Sequence, residues 1–578
     1  MVHNDELHGR ALLSSKLRGI KALVVLDDVD SIAQLEALYD PLCSSLGPKS
    51  VILITSRNQA ILQHAQSSHI FELHGLSEES SQRLFNWHAF LKPEAPPELK
   101  EVSKRVVNAC QGLPLSLKVV GTYLFHNIDE RYWHESLEFF RRNKSGVLGV
   151  LRKSLDGLER DERDSFLDIC CFFVGQNDIL CRAYLEGVYG VGLTHLKLLH
   201  SRCLLTFDKE EGTFENQWNI GMHDHLRDMG RQVVREEEKN RAWDEETAKH
   251  FLKDERTRST LRGLSINSAM PLPEEAAKLK LLPELSFLRV IHDSHDSESL
   301  PGNNFAGNVL KNVRCDELRL LGWRDAPFRQ LPPGLCSTNL RVLDLRDSNI
   351  SELPRAPFIN LRYLDVAGTN ISEVPGEVFS RTLEYIDLSG TKISELPSVV
   401  CCPNLRQLHL LGTQISQVPH GLCSTVLEIL GLSGTNISNV PVGQICCDRT
   451  LKLIKEAYLP KLVNLDLICC EELRSLPATF RAFMPSLKRL SLEECECLEA
   501  LDSSIGSLTN LTHLWLSKCH RMTGLPQEII NELAPKTVQQ IRSKRRFVSH
   551  RIGLLQICQS PCQIHQDARV ALPEESQV

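Results

Sequence analysis

The second half of the chain is built on a fixed spacing of apolar positions. The pattern L-x-x-L-x-L occurs at Leu340-Leu343-Leu345, Leu361-Leu364-Val366, Leu383-Ile386-Leu388, Leu405-Leu408-Leu410 and Leu427-Leu430-Leu432. These copies start 21, 22, 22 and 22 residues apart. Further copies begin at Leu318, Leu462, Leu487 and Leu511, with weaker ones at Leu261 and around Leu285 to Ile291. A period of this length marks a leucine-rich-repeat coil, in which three apolar side chains of a short strand enter a shared core. Three residues past the last apolar position stands a small polar residue: Ser348, Thr369, Thr391, Thr413 or Thr435, then Cys470, Cys495 and Cys519. Its side chain can bond the backbone as the chain leaves the strand. An isoleucine then returns to the core, and a Leu-Pro or Val-Pro pair such as Leu353-Pro354 or Val374-Pro375 closes the turn. Proline suits a side of the coil that makes no ladder hydrogen bonds. One coil cannot bury its own apolar face, so the coils must stack into a solenoid.

The first half follows other periods. Lys21 to Asp30 reads KALVVLDDVD. Its unbroken apolar run predicts a parallel strand buried on both faces. Asp27 and Asp28 stand at its C-terminal end. Ser31-x-x-Gln34 then predicts a capped helix to about Tyr39. A second buried strand over Val51 to Thr55 ends in Ser56 and Arg57. Strand, helix and strand at this spacing form a right-handed βαβ unit. Ligands of such sheets bind beyond the carboxyl ends of the strands, where Asp27, Asp28 and Arg57 lie. Acidic residues there hold magnesium beside phosphates. Helix capping explains Asp28 equally well.

Four further blocks come in a telling order. They are FELHGLSEESSQRLF (71–85), CQGLPLSLKVVG (110–121), SFLDICCFFVG (165–175) and GMHDHLRDMGRQVV (221–234). In order and spacing, and with the repeats behind them, they resemble the plant nucleotide-binding leucine-rich-repeat disease-resistance proteins. The wording of the last two is closer to the branch carrying a Toll/interleukin-receptor-type domain. The resemblance covers roughly residues 10–535. It implies an α/β multidomain fold: a partial P-loop-type sheet, a helical domain and a winged helix, then the solenoid. It also implies site roles. Asp27 would hold magnesium, and Asp28 would sit near the hydrolytic water. Arg57 would sense the terminal phosphate of ATP. Gly112 and Pro114 belong to the GLPL turn, with Pro114 packing on adenine. His223 of Met222-His223-Asp224 would touch the β-phosphate of ADP. The GLPL turn also reads as a plain connection between helices, and His223 as an ordinary surface histidine.

No G-x-x-x-x-G-K-[ST] occurs in the sequence, so the loop that cradles phosphates is missing. The resemblance puts a strand between those at 51–55 and 69–73, and its loss leaves apolar edges unpaired. ADP or ATP binding is therefore expected to be weak or absent, and no ATPase or other enzyme activity is expected. A chain truncated ahead of its Walker B strand, such as a partial gene model, accounts for this. The net charge of -7 argues against a nucleic-acid or anionic-membrane binder. The 20 cysteines form no secreted framework, and the polar N-terminus is no signal peptide. A cytoplasmic protein follows, with nuclear import through Lys544-Arg545-Arg546 as an added reading.

The expected organisation is a nucleotide-binding remnant at 1–75, a helical domain at 76–145, a winged helix at 150–240, a charged linker helix at 236–257, the solenoid at 258–535 and a tail at 536–578. Outward positions of the repeat strands would line a concave face. Asp344, Asp365 and Asp387 stack there beside Tyr363, Tyr385 and His409, a column fit to dock a basic protein surface. Aspartate is also simply well tolerated at this position. The leading function is an intracellular immune receptor acting in defence signalling, with a crippled nucleotide switch and a pathogen effector or host guard protein as partner. The resemblance adds oligomerisation in the full-length family. The alternative is a non-enzymatic repeat fragment that binds proteins without nucleotide.

Overall fold

The computed structural model describes residues 2–142 and 151–542, apart from positions 28, 30, 57–58, 66–68, 126–128, 210–217, 238, 269, 271–278, 292–308, 355–357, 398–401, 418–423, 425, 439, 441–458, 477–483, 523, 526–528 and 530–540. Asp28, Arg57 and the Lys544-Arg545-Arg546 cluster lie outside the described residues, as do most of the irregular 443–460 insertion and several of the turn prolines.

The chain opens with a small α/β unit. Strands β1 (Leu23–Leu26) and β2 (Val51–Ile54) pair in parallel through the intervening helix Ile32–Ser45. Ser31 caps that helix by accepting from the Gln34 backbone, as the sequence implies. The helix runs on past Tyr39 and carries Pro41 within it. One face of the sheet packs on Val29, Leu35, Ile61 and Ala65. The other leaves Leu23, Val25, Val51 and Leu53 more than half exposed. The strand expected near 69–73 is not formed: residues 69–77 adopt no regular element, and Phe71 and Leu73 are solvent-exposed. An edge strand without a neighbour has no ladder bonds to hold it.

Helices Glu78–Phe90, Lys100–Ala109, Pro114–Leu124 and Glu130–Arg142 close around Phe85, Val106, Leu117 and Trp133. Three helices follow, Arg160–Asp168, Asp178–Tyr189 and Gly192–Ser201. An antiparallel hairpin of β3 (Thr206–Lys209) and β4 (Trp218–Gly221) leads into the helix Asp224–Glu236. This is the winged-helix order. A π-helical turn, Ile169–Phe173, ends the first of these helices and is fully buried.

The solenoid is one thirteen-stranded parallel sheet running in sequence order. It begins earlier than expected. Arg241–Ala242, inside the supposed linker helix, is its first strand and pairs with Gly263–Leu264. The linker instead breaks into the helices Glu245–Lys253 and Glu255–Thr260. At the other end Ile541–Arg542 still pairs with Leu514–Trp515, beyond the expected limit of 535.

Each coil core is made by the apolar triplets as expected, with Leu343, Leu364, Ile386, Leu408 and Leu430 all buried. The polar column forms too. Ser348, Thr369, Thr391, Thr413 and Thr435 each donate to the carbonyl three residues back, at 2.6–2.7 Å. The cysteines that replace them reach back one coil instead: Cys470 to Leu432 O at 3.2 Å, and Cys495 to Leu467 O and Cys519 to Leu492 O at 3.0 Å. Among the described residues no cluster could hold a metal ion.

Candidate functional site

The expected nucleotide residues fall on three separate apolar cores. Asp27 stands at the end of β1, exposed, and its Oδ1 accepts from the Thr55 hydroxyl. Gly112 sits in a turn between helices. Its φ is +72°, and an added Cβ would lie 2.7 Å from Leu76 O, so the turn needs glycine for its shape. Pro114 is the first residue of the next helix, a position where its missing N–H costs nothing, and it is exposed. His223 caps the helix Asp224–Glu236: its Nδ1 accepts from the His225 backbone N–H at 3.2 Å. In the neutral ring that bond fixes the remaining proton on Nε2.

The concave column is the larger surprise. Leu343, Leu364 and Ile386 point into the solenoid, so the residues flanking them point to the concave face. There the first helix after the π turn, Asp178–Tyr189, lies across the strands. Tyr363, Tyr385, Val342, Leu320 and Phe287 belong to the same apolar core as the winged helix. Phe287 stacks on Phe172 at 4.2 Å and meets Phe173 and Tyr184 edge-on. Tyr363 and Tyr385 stack at 4.2 Å. The expectation of a docking column at Asp344, Tyr363, Asp365, Tyr385, Asp387 and His409 is corrected accordingly. Five of the six are below 9% exposed and Asp387 is half-buried: the chain's own helix shares a core with the tyrosines, Arg346 lies on Asp344 and Asp365, and His409 packs on Tyr385.

Charge fastens the contact. Glu384 accepts from Arg182 and, at 2.6 Å, from Arg362, which also reaches Glu186 at 3.3 Å. Arg319 donates to Gly187 O at 3.1 Å, and Arg289 to Phe172 O at 3.1 Å. Burial raises the carboxyl pKa of Asp178, against the pull of Arg182 and Arg406. Asp178, Arg182 and Glu186 recur every four residues on the helix, about one turn. Glu384 and Arg362, which Arg182 and Glu186 meet, are one repeat apart. The turn of about 5.4 Å and the strand spacing of about 4.8 Å nearly match, so one helical turn serves one coil.

Behind the helix lies a mostly acidic column. Arg346 grips Asp344 with two bonds of 2.9 and 2.6 Å and reaches Asp365 at 3.2 Å. Burial pushes Asp344 up, but the guanidinium overcomes this and holds its carboxyl below the usual range. Asp365 is 1% exposed, and burial followed by Asp344 and Asp387 on either side pushes its carboxyl well above that range. At the root of the solenoid Arg241 is buried and donates to Asp168 at 2.6 Å, and Tyr189 donates to the same carboxylate at 2.7 Å. The sequence did carry a signal for all this. Phe287, Leu320, Val342, Tyr363 and Tyr385 are apolar at positions that should face solvent.

The fold and this junction define a leucine-rich-repeat protein whose solenoid is fused to a winged helix. The family model described as leucine rich repeat matches residues 359–415. Its relatives are plant disease resistance proteins, the group the motifs resemble. The chain is 30% identical over 376 residues to disease resistance protein RUN1 of Vitis rotundifolia, covering 61% of this chain and 28% of that protein. It is 34% identical over 248 residues to TMV resistance protein N of Nicotiana glutinosa, covering 42% and 21%. The chain thus spans less than a third of the length of either relative. Among solved structures, the leucine-rich repeat domain of the type III effector XopL is 26% identical over 38% of this chain and 74% of that one, with a TM-score of 0.31. Among the described residues no helix is long and apolar enough to cross a membrane.

Proposed function

We propose that the chain works in plant defence as the switching and sensing portion of an intracellular receptor that is not an enzyme. The observation that carries this is the shared core. The winged helix that bears His223 and the coils that would sense a partner are packed into one apolar cluster, so a change at one is felt at the other. The residues present suit ADP with magnesium only in part. His223 offers an Nε2–H donor of the kind a phosphate accepts, and Asp27 an exposed carboxylate for the metal. Gly112 and Pro114 serve the turn between helices, and nothing among the described residues replaces the cradling loop. Binding is therefore proposed to be weak. The partner is a protein recognised by the repeats.

Calorimetry of ADP and ATP on the full chain tests the switch, with His223→Asp alongside. Aspartate keeps the helix cap but removes the donor and adds a charge that repels phosphate. The expected result is weak ADP binding that the variant abolishes while its thermal midpoint holds. Absence of binding in the unaltered chain would favour the alternative, a repeat module that binds proteins without nucleotide.

A further inference from the structure

On the concave face Asp344 and Glu384 have arginine partners. The opposite side of the solenoid differs. After the strand three successive coils turn through Ser-Glu-Leu-Pro or Ser-Glu-Val-Pro: Ser351–Pro354, Ser372–Pro375 and Ser394–Pro397. This repeat places Glu352, Glu373 and Glu395 in one exposed row. Between the first coils of the row lies a groove of about 1010 Å³. Leu331 and Leu353, both nearly buried, contribute its apolar lining, and Glu352, Glu373 and Glu377 its carboxylates. No lysine or arginine is among the described residues that line it. None of the three glutamates is in an ion pair among the described residues; Glu352 only accepts from the neutral Gln330 side chain at 2.7 Å.

We propose that this groove docks an extended, lysine- or arginine-rich segment of a partner polypeptide. Charge complementarity selects the occupant. Carboxylates of one sign, with no cation among the described residues that line the groove, raise the local concentration of a cation and steer it in. The apolar lining takes the aliphatic stems of lysine or arginine while their heads stay at the carboxylates. Prolines 333, 354 and 375 keep the walls rigid, so little ordering is needed on binding. An extended chain presents a side chain to one face at about 6.6 Å intervals. The coils repeat at about 4.8 Å, so the register drifts by about 1.8 Å per coil, a mismatch that the long stems of lysine and arginine absorb over the two coils of the groove. The site lies away from the helix Asp178–Tyr189 and does not depend on nucleotide binding.

The test is fluorescence anisotropy of the full chain with a labelled lysine–alanine alternating peptide of about eight residues, at low and at physiological salt. Two triple variants are compared: Glu352→Gln with Glu373→Gln and Glu377→Gln, and Glu94→Gln with Glu98→Gln and Glu101→Gln. Both change net charge equally, and all six residues are exposed, so both should fold. The groove variant should weaken binding about tenfold, the summed effect of three exposed charge contacts, and the control should leave it within twofold. Equal losses in both would mean general attraction of a polycation to an acidic protein, and would overturn the proposal. So would an unaffected groove variant, or free spermine binding at the groove more tightly than the peptide.

Discussion

The two aspartates at the head of the acidic column have opposite fates, and the reason is one arginine. Asp344 is held ionised by a two-point grip, whereas Asp365 shares only the edge of that guanidinium and sits between two other carboxylates. A carboxyl whose folded pKa is raised stabilises the fold fully below its unfolded value. That contribution is lost as pH rises through the folded value. Asp365 therefore weakens the native state at neutral pH, and an amide mimics its protonated form. Asp365→Asn is expected to gain about 1 kcal/mol at pH 7 and nothing at pH 4 or below, read from urea midpoints across that range. Asp344→Asn should do the reverse, losing about 2 kcal/mol at pH 7 because it leaves Arg346 half-paired. Equal effects of the two changes would show that the column does not share its charge unequally.

At the scale of elements, the repeats were legible because their signal is local: a strand triplet, a polar cap and a proline recur within each coil. Leu343 or Thr369 needs no distant residue to explain it. The capped helix after Ser31 was legible for the same reason. The covering of the concave face was not. It depends on the helix Asp178–Tyr189, whose own sequence looks like any amphipathic helix, meeting coils far along the chain. The strand near Phe71 failed for a related cause, since a strand forms only if a neighbour supplies its ladder. For the candidate site, the residue types and the turn at Gly112 were legible, but the surroundings of His223 were not, since its capping bond depends on where the His225 backbone falls. The central fastening of the covering helix is Glu384, 7% exposed between Arg182 and Arg362. Glu384→Ala should cost about 3 kcal/mol by stranding Arg182 in a semi-dry contact and leaving Arg362 with Glu186 alone. Removing the arginines as well, with Arg182→Leu and Arg362→Leu, should recover most of it in chemical denaturation. A loss that the triple variant fails to reduce would mean that the charges do not meet as described.

For the whole molecule, the boundary that matters is not the one between winged helix and repeats. The first strand of the solenoid sheet, Arg241–Ala242, is bolted to Asp168 of the winged helix, and Phe287 of the third strand stands among Phe172, Phe173 and Tyr184. Even the approach of the second strand is set there: a Cβ on Gly263 would come within 2.5 Å of the Phe172 ring. By contrast the small α/β unit has its own four-residue core, and one sheet face lies open to water. Three cooperative units are therefore expected on heating: a weak one over the first strands, one over the helices around Phe85 and Trp133, and a strong one that joins winged helix and solenoid. Phe287→Ala separates these views. It removes a fully buried ring and should cost about 4 kcal/mol. If the junction is one core, hydrogen exchange will speed up together in the helix Asp178–Tyr189 and in strands as far along as Tyr385, while β1 and β2 keep their own rates. If protection falls in the solenoid alone, the winged helix folds independently. A signal passing between His223 and the repeats would then need a route other than this packed face.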